Sequence, residues 1–547
     1  MPTPAPAPSH RPTPSRRPAP TRREALVTAG LGTAAALTGI TLAPGATAAT
    51  PTTTSPTATT TTTTDRPGAP TEVLALTHAT VLNGADSRTH PDQTLILAAG
   101  RIVGSGPSAQ LKPPPHAKVV DLSGKYVVPG LVESHIHTSG DEALTPPLFP
   151  LTGITAVREM WGQPLHHAWR KKIESGTLLG PRFVIASPLL DGPPSIWARD
   201  TGLPLMEVTD EASARAAVRQ VKRDGADFVK VYSRLSPEAY YAIADESARQ
   251  RIPFAGHCPD SLPMSRAATS GQRSIEHLHA MLLATSSRER EIREALAKVR
   301  IDPNDPSSTS RYGSWFRQVH PLEWQAMRSY DRSRARRLYD TLAERGTTVT
   351  PTLTIHHSLE RTDELPTAVD EWKYLPAWLI QTWPQTWESL VGSRTPDDTA
   401  RIRQIYEHRL GMVEEMHRAG VPLVAGTDTG TGYAVPGFAL HEELRLLSEA
   451  GLPTHQVLAS ATTVPARLLR LPENRPADLV VLDANPLADI RNTRRIHAVV
   501  NAGHYIGPQE RTRLLAGIEK AAAASTPPEG EGIPTTATPG CACNAPH

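Results

Sequence analysis

Short alternating runs of apolar and polar residues mark both ends of the region that can fold. From Thr71 to Val127 these runs are separated by Gly and Pro turns, which predicts short antiparallel strands. A similar pattern returns in Ala477–Leu482 and Ala498–Gly503. Neither group has enough strands to be stable alone, so we predict that the two groups form one small β-domain. Two unrelated β-patches are the alternative.

Between Leu151 and Leu471 the pattern changes to alternating strands and helices, which is typical of parallel βα units. The clearest unit begins at Thr209 or Asp210, either of which can cap a helix that ends at Gly225. The apolar stripe predicted for this helix consists of Ala212, Ala216, Val218 and Val221.

About eight strands are predicted in and just before this region. The first precedes His135, and the others are Ile154–Arg158, Arg182–Ala186, Asp227–Tyr232, Ile252–His257, Ser274–His277, Thr347–Leu353 and Pro422–Thr427. Eight parallel strands, each followed by a helix, form a (β/α)8 barrel. Met281–Arg345 is long, charged and partly helical, and we interpret it as an insertion over the barrel mouth.

The N-terminus has the composition of an export signal. Thr21–Leu26 carries a twin arginine, an apolar Ala/Leu/Gly/Thr run follows to about Leu42, and Ala46–Ala48 supplies a small-residue cleavage pattern. The sequence therefore predicts export by the twin-arginine route, an extracellular or cell-envelope location, and no stable membrane anchor after cleavage. A transmembrane anchor is the alternative, but the run is short for a bilayer span.

These patterns divide the chain into six parts. The predicted boundaries are a signal peptide at 1–48, a Thr/Pro-rich disordered spacer at 49–70, the first part of the β-domain at 71–130, the barrel at 131–471 with its insertion at about 281–345, the second part of the β-domain at 472–512, and a disordered tail at 521–547.

Charge and cysteine content narrow the classes of partner. The formal charge is +2 and the chain has no basic block, which argues against nucleic acid. Two of the three cysteines, Cys541 and Cys543, lie in the predicted tail, so a disulfide framework is not expected. These properties leave a small-molecule partner and a homo-oligomer open.

The first chemical signal is the pair of histidines in Val127–Gly140. Side chains at i and i+2 of a strand point to the same face, so His135 and His137 can bind one ion together. Imidazole is a preferred ligand of zinc. A pair of this kind also occurs by chance, and its interpretation depends on the other polar residues.

Four more polar residues fall at predicted strand ends, where the catalytic groups of such barrels lie. They are Lys230, His257, His277 and Asp428. Each has a simpler interpretation alone: a hydrogen-bonded loop histidine, a turn-capping aspartate, or an ordinary lysine whose stem is buried. His279 also competes with His277. Taken together with the histidine pair, they form a ligand set for one or two divalent ions.

At these motifs the chain resembles the metal-dependent amidohydrolase superfamily, in its imidazolonepropionase-like and Xaa-Pro dipeptidase-like branch. The similarity rests on Pro129–Leu131 before the histidine pair, Glu276–Leu278, Gly426–Asp428 and Ala477–Asp483, and it covers nearly all of Thr71–Gly507. The resemblance implies an α/β fold, a distorted (β/α)8 TIM barrel with a small β-sandwich domain built from both chain ends.

The resemblance also implies a cofactor. In dipeptidase-type members a lysine at the end of the fourth strand is carbamylated and bridges two zinc ions, and Lys230 occupies that place. Desolvation of an inward lysine lowers its pKa and frees the neutral amine that adds carbon dioxide. A mononuclear enzyme in which Lys230 binds substrate is the alternative. The family usually has Asp where Glu133 stands, a difference that concerns support of the ligands.

The predicted function is that of a secreted metal-dependent amidohydrolase. A metal-activated water would attack an amide, cyclic amide, or Xaa-Pro or N-acyl amino acid bond, with Asp428 as general base. Tyr232, Arg158 and His356 are candidate substrate-binding residues, although a salt bridge equally explains Arg158, and Cys258 is expected to pack. The alternatives are a lactone or ester hydrolase on the same site, and a catalytically retired barrel that acts as a binding protein.

Overall fold

A computed structural model describes residues 72–84, 86–138, 140–197, 204–302, 305, 308–471, 477–527, 537–538 and 541–542. The predicted signal peptide and the Thr/Pro-rich spacer lie outside these residues. Among the helices in the described part of the chain, none is both long and apolar enough to cross a membrane.

The strands alternate with helices only in the central part of the chain. They are β1 Leu74–Leu82, β2 Thr89–Ala98, β3 Arg101–Pro107, β4 Lys118–Asp121, β5 Tyr126–Pro129, β6 Leu131–Ile136, β7 Ile154–Glu159, β8 Arg182–Asp191, β9 Leu205–Glu207, β10 Phe228–Val231, β11 Phe254–Gly256, β12 Ser274–Glu276, β13 Thr348–Thr350, β14 Leu479–Leu482, β15 Ile496–Asn501, β16 His504–Ile506, β17 Ala537–Thr538 and β18 Cys541–Ala542.

The helices follow the barrel strands and also fill the long connection after β12. They are α1 Thr145–Leu151, α2 Pro164–Glu174, α3 Glu211–Arg223, α4 Pro237–Gln250, α5 Met264–Thr269, α6 His279–Ala284, α7 Glu289–Leu296, α8 Ser308–Arg328, α9 Arg332–Arg345, α10 Leu353–Glu360, α11 Ala377–Val391, α12 Pro396–Arg418, α13 Phe438–Glu449, α14 Thr454–Ser460, α15 Thr463–Leu468 and α16 Pro508–Ala524, with short 3-10 turns at Thr362–Glu364, Asp370–Tyr374 and Ile490–Arg494.

The two ends of the chain form one β-domain, as predicted. Its strand order is β16-β15-β14-β5-β1-β2-β3, with β4 beside β1. The link between the ends is the antiparallel pair β14 and β5, in which Val480 faces Val128. One side of the sheet buries its own apolar cluster, which includes Leu76, Val481 and Val500. Burial of such side chains is the main force that joins distant segments of the chain.

A second sheet forms the barrel wall. Among the described residues, its parallel strands follow the order β6-β7-β8-β10-β11-β12-β13, with β9 beside β8. The eighth position, between β13 and β6, belongs to the predicted strand Pro422–Thr427. This segment and the residues directly after it form isolated bridges instead of a strand, Val349 to Leu423 and Ile136 to Thr429. Ala425 N–H donates instead to Ser460 O at 2.9 Å. The barrel is therefore closed irregularly, which confirms the predicted distorted barrel.

Helix α3 has the predicted cap but a different apolar stripe. Asp210 accepts a hydrogen bond from Ser213 N, and Gly225 follows the helix with a φ of +81°. The buried residues are Ala214, Ala217, Val218 and Val221, whereas Ala212 and Ala216 are exposed. The predicted stripe was therefore wrong at two alanines, because alanine suits exposed and buried helix positions equally well.

The long connection after β12 consists of helices α6 to α9, and α8 places Tyr312, Trp315 and Phe316 on the cavity at the barrel mouth. The C-terminal helix α16 runs beyond the boundaries predicted at 512 and 521. It continues because Ile518 and Ala522 are buried in a cluster with residues of α1.

The junction between the two sheets, at Gly130, predicts a test of the packing. A Cβ at Gly130 would lie 2.1 Å from Oγ1 and 2.7 Å from Cγ2 of buried Thr155. We expect Gly130→Ala to reduce the free energy of unfolding by about 1–3 kcal/mol because of this overlap. The urea midpoint measured by circular dichroism gives the change. Gly411→Ala is the control, since position 411 is exposed on α12 and a Cβ there meets nothing within 4 Å. This change should raise the free energy of unfolding by about 0.5–1 kcal/mol. Equal effects of the two changes would contradict the packing described here.

Candidate functional site

The carboxyl ends of the barrel strands bring the predicted polar residues together. His135 lies on β6, Lys230 on β10, His277 directly after β12, and Asp428 at the end of the irregular closing segment. Ligand atoms of His135, His277 and Asp428 all lie within 4.8 Å of one another. Residues separated by up to 293 positions therefore converge on one small volume.

The shortest distances join the histidine pair to Asp428. His135 Nε2 lies 3.2 Å from His137 Nε2 and 3.2 Å from Asp428 Oδ1, and His137 Nε2 lies 3.1 Å from the same oxygen. Two ligand atoms bound to one tetrahedral zinc ion lie about 3.3 Å apart, since each is about 2.0–2.1 Å from the metal. The observed separations are close to this value.

The protonation of His135 also fits a cation. The Glu276 carboxylate lies 3.0 Å from His135 Nδ1, so this nitrogen carries a proton and Nε2 presents its lone pair. Burial lowers the pKa of His137 to about 4, so its imidazole is neutral at pH 7. Neutral imidazole nitrogens beside a carboxylate are a donor set that suits a divalent metal ion.

His257 and His277 are oriented by hydroxyl groups. Ser233 Oγ lies 2.8 Å from His257 Nδ1, and Thr352 Oγ1 lies 2.7 Å from His277 Nδ1. Each ring therefore has Nε2 left for another partner. The rings lie close to each other, with centroids 4.8 Å apart. Burial holds the pKa of both histidines well below the usual range, and nearby cationic groups lower it further.

The backbone is strained at two of these positions. His277 and Asp428 have φ values of +64° and +61°, in the left-handed region that non-glycine residues rarely adopt. Such a conformation costs about 1–3 kcal/mol and persists only where surrounding contacts impose it. His277 N donates to Thr350 O and Asp428 N donates to His135 O, both at 2.9 Å. These bonds turn the two side chains into the barrel mouth.

Lys230 is buried inside the barrel. Its side chain passes Gly256, where a Cβ would lie 3.1 Å from Lys230 Cδ. Burial lowers the pKa of the ammonium to about 8, although Glu276 and Asp428 favour the charged form. On the order of a tenth of the amine is therefore neutral at pH 7, far more than for an exposed lysine.

Arg158 lies in the barrel interior and does not line the cavity. Its guanidinium donates to Glu276 Oε2 at 2.7 Å, Ser274 Oγ at 2.6 Å and Thr350 Oγ1 at 3.1 Å. The substrate-binding role predicted for Arg158 has no support from this position, and the salt bridge that was the alternative is present. The sequence did not reveal its partner, because Glu276 follows 118 positions later.

Glu133 connects two backbone segments of the site through hydrogen bonds. Its Oε1 accepts hydrogen bonds from His135 N at 3.1 Å and Thr427 N at 3.0 Å. Burial raises the pKa of this carboxyl to about 8. The glutamate therefore connects the strand that carries His135 to the segment that carries Asp428.

The other candidates divide into two groups. Tyr232 lines the cavity, and its ring lies 4.1 Å from that of His257. His356 also lines the cavity, but Leu278 N donates to its Nε2 at 3.3 Å and its Nδ1 bonds Glu360 at 3.0 Å. Both ring nitrogens are thus engaged within the protein. Cys258 is buried with a thiol pKa raised by burial to about 12, in accord with a packing role.

Two features were missed in the sequence. One is the orienting function of Glu276, whose position directly before His277 was a usable signal. The other is a group of aromatic side chains that line the cavity, among them Trp161, Trp197 and Trp315. Their convergence depends on the folding of the insertion and left no local pattern.

Comparison with known proteins agrees with this geometry. The sequence model of the amidohydrolase family matches residues 126–505. The chain belongs to the amidohydrolase family. Membership makes it a hydrolase that acts on carbon–nitrogen bonds, in a family that is generally metal-dependent. No curated protein matches the chain.

Solved amidohydrolases share its fold. A bottromycin amidohydrolase is 22% identical, with a TM-score of 0.65, over 82% of this chain and 90% of that one. A Xaa-Pro dipeptidase with methionine bound in its active site is 17% identical, with a TM-score of 0.56, over 80% and 100% of the chains. A prolidase complexed with N-methylphosphonate-L-proline is 20% identical, with a TM-score of 0.56, over 80% and 99%.

The contact between Glu276 and His135 predicts a measurable effect on metal binding. We expect Glu276→Gln to weaken the affinity for Zn²⁺ by about 10–100-fold, because the amide no longer fixes the His135 tautomer. Competition with a chromogenic chelator measures this affinity. Exposed Glu238 on α4 supplies the control, and Glu238→Gln should leave the affinity unchanged. An unaltered affinity in a folded Glu276→Gln protein would show that the contact does not support a metal ligand.

Proposed function

We propose that this amidohydrolase is a binuclear metal enzyme that hydrolyses amide bonds of small molecules or dipeptides. The observation that carries the proposal is the convergence of four histidines, a buried lysine and an aspartate at one end of the barrel. The metal ligands would be His135, His137, His257, His277, Asp428 and a carbamate on Lys230. Zn²⁺ is the proposed ion, and N-acyl amino acids, Xaa-Pro dipeptides and cyclic amides are the proposed substrates.

The donor set explains why two ions are proposed. The Nε2 atoms of His135 and His137 both lie close to one carboxylate oxygen of Asp428. The ring of His277 lies between those of His135 and His257, at centroid distances of 4.9 and 4.8 Å, so the donors extend beyond what one ion can bind. Lys230 lies on the strand that precedes the His257 strand, and its depressed pKa permits reaction of the neutral amine with carbon dioxide. A carbamate formed in this way would offer two oxygen ligands.

The bound ions would activate a water molecule and polarise the substrate carbonyl. Asp428 has the position and charge of a general base. Burial alone would raise the pKa of its carboxyl, but His135 and the neighbouring histidines hold it well below the usual range. The carboxylate can take a proton from the attacking water and transfer it to the leaving amine. Tyr232 lines the cavity beside this site and can contact the substrate.

The alternatives share parts of this geometry. A lactone or ester hydrolase would use the same attack on an acyl carbon, and comparison of matched amide and ester substrates separates the two. A retired barrel that only binds ligands would be expected to lack a ligand residue, and each of the six predicted residues lies at the barrel mouth or beside it. We also propose export by the twin-arginine route, which replacement of Arg22 and Arg23 by lysine would abolish.

Asp428→Asn tests the general base. We expect the variant to keep its fold and to lose at least about 100-fold in kcat, because an amide cannot accept the proton. Hydrolysis of an Xaa-Pro and N-acyl amino acid panel gives kcat, and elemental analysis gives metal content per chain. Turnover near that of the wild type would be incompatible with this role for Asp428.

Lys230→Ala tests the bridging carbamate. Wild-type protein purified with bicarbonate should hold about two metal ions per chain, and the variant should lose metal and activity. Acetate or propionate should restore part of both, since a carboxylate can occupy the place of the carbamate. The control is Lys222→Ala on the exposed face of α3. Full metal content and activity in Lys230→Ala, with no effect of the acids, would leave Lys230 without the proposed function.

A further inference from the structure

One side of the cavity in front of the candidate site is aromatic. Trp, Tyr and Phe make up 5% of the chain, yet several of them meet here. We define the aromatic wall as Trp161, Trp197, Tyr312, Trp315 and Phe316, all of which line the cavity. The segments that follow β7 and β8 provide Trp161 and Trp197, and helix α8 of the insertion provides the other three residues.

The rings of the wall form a continuous series of contacts. Trp161 lies 6.1 Å from the ring of His137 and 4.8 Å from Trp197. The series continues from Trp197 to Tyr312 at 5.4 Å, and from Tyr312 to Phe316 at 5.7 Å. The apolar surface therefore begins at a proposed metal ligand and extends outward along α8.

Helix α8 is held in place from two sides. The Tyr312 hydroxyl bonds that of Tyr232, just after β10. Farther along the helix, the Glu323 carboxylate lies 2.6 Å from an Arg409 nitrogen and 2.5 Å from His279 Nδ1. Arg409 is fully buried and also donates to Glu360 at 3.0 Å. Removal of one partner from such a buried network is strongly destabilising, so the wall has a fixed position before any ligand binds.

The size of the cavity limits what the wall can bind. Its volume is about 100 Å³, which is several times the space that one water needs but smaller than the apolar cavity of about 150 Å³ that takes up benzene. Ile355 and Leu359 of α10 add further apolar surface to the cavity. The lining and the volume therefore suit one apolar group that is no larger than a single ring or a branched alkyl group.

We propose that the substrate carries one ring-sized apolar group beside the scissile amide, and that this group binds the α8 part of the aromatic wall. The inference rests on the proposed amide hydrolysis and names its substrate class. Tyr312, Trp315 and Phe316 are then the residues that determine specificity. Small polar dipeptides would bind the same catalytic groups without filling the cavity.

The first experiment compares matched substrates of the metal-loaded protein. Phenylalanyl-proline and glycyl-phenylalanine place a phenyl ring on the acyl or the amine side, and glycyl-proline and glycyl-glycine are their small counterparts. We expect kcat/KM to be at least about 10-fold higher for one of the phenyl compounds than for its small counterpart, because burial of the phenyl ring in the pocket stabilises the transition state. Equal kcat/KM values within both pairs would overturn the inference. If all four dipeptides were nevertheless hydrolysed, the proposed amide hydrolysis would still hold.

The second experiment locates the specificity on α8. Trp315→Ala should reduce kcat/KM for the phenyl substrate about 10-fold or more, raise KM more than it lowers kcat, and change the value for the small counterpart less than about 3-fold. Trp315→Phe should retain most of the preference. Trp324→Ala is the matched control, since Trp324 lies on the same helix and does not line the cavity. Equal losses with both substrates would assign Trp315 a structural role and contradict the inference.

A binding experiment distinguishes a wrong substrate class from a wrong proposed function. If none of the four compounds is hydrolysed, calorimetric titration of the metal-loaded protein with 3-phenylpropionate and with acetate decides the matter. At least about 10-fold tighter binding of the phenyl acid, lost in Trp315→Ala, would support the aromatic subsite although amide hydrolysis had failed. Similar affinities for the two acids would overturn the inference as well.

Discussion

The buried ion pair between Glu276 and Arg158 is the interaction on which the candidate site depends. Burial alone would raise the pKa of the Glu276 carboxyl, but Arg158 and His135 hold it well below its usual range. The resulting carboxylate fixes the proton on His135 Nδ1 and turns Nε2 toward His137 and Asp428. Glu276 also directly precedes His277, so the ion pair holds the residue from which the His277 side chain turns into the barrel mouth.

The irregular closing segment has a related function. A regular eighth strand would direct its backbone groups to β13 and β6 alone, and its side chains would alternate. Here Ala425 N–H donates to Ser460 O at the C-terminal end of α14, and Asp428 N–H donates to His135 O. The backbone of Asp428 is left-handed. In this conformation the Asp428 carboxylate lies 3.1–3.2 Å from Nε2 of His135 and His137. Glu133 stabilises this arrangement, since its carboxyl accepts from both segments.

Local sequence patterns predicted the barrel and its polar strand ends well, because apolar periodicity and Gly or Pro turns are short-range properties. They placed β7, β10 and β12 to within a few residues, and they brought His135, Lys230 and Asp428 to one end of the fold. They failed where contacts between residues far apart in the sequence determine the position of a side chain. Arg158 has the sequence context of any strand-end arginine, and only its burial beside Glu276 excludes it from the cavity. The aromatic wall depends on how the insertion folds back over the mouth.

This division between local and distant signals has a physical consequence for specificity. Most of the groups proposed for chemistry lie on or directly after strands whose positions the hydrogen-bonded sheet fixes. Helix α8 has no such sheet, and it is held instead by Glu323 and Arg409 and by the tyrosine pair at the end of β10. A buried ion pair contributes little net stability, but it tolerates few alternative geometries. A buried ion pair is therefore a suitable means of holding the apolar residues of α8 beside a group of polar side chains.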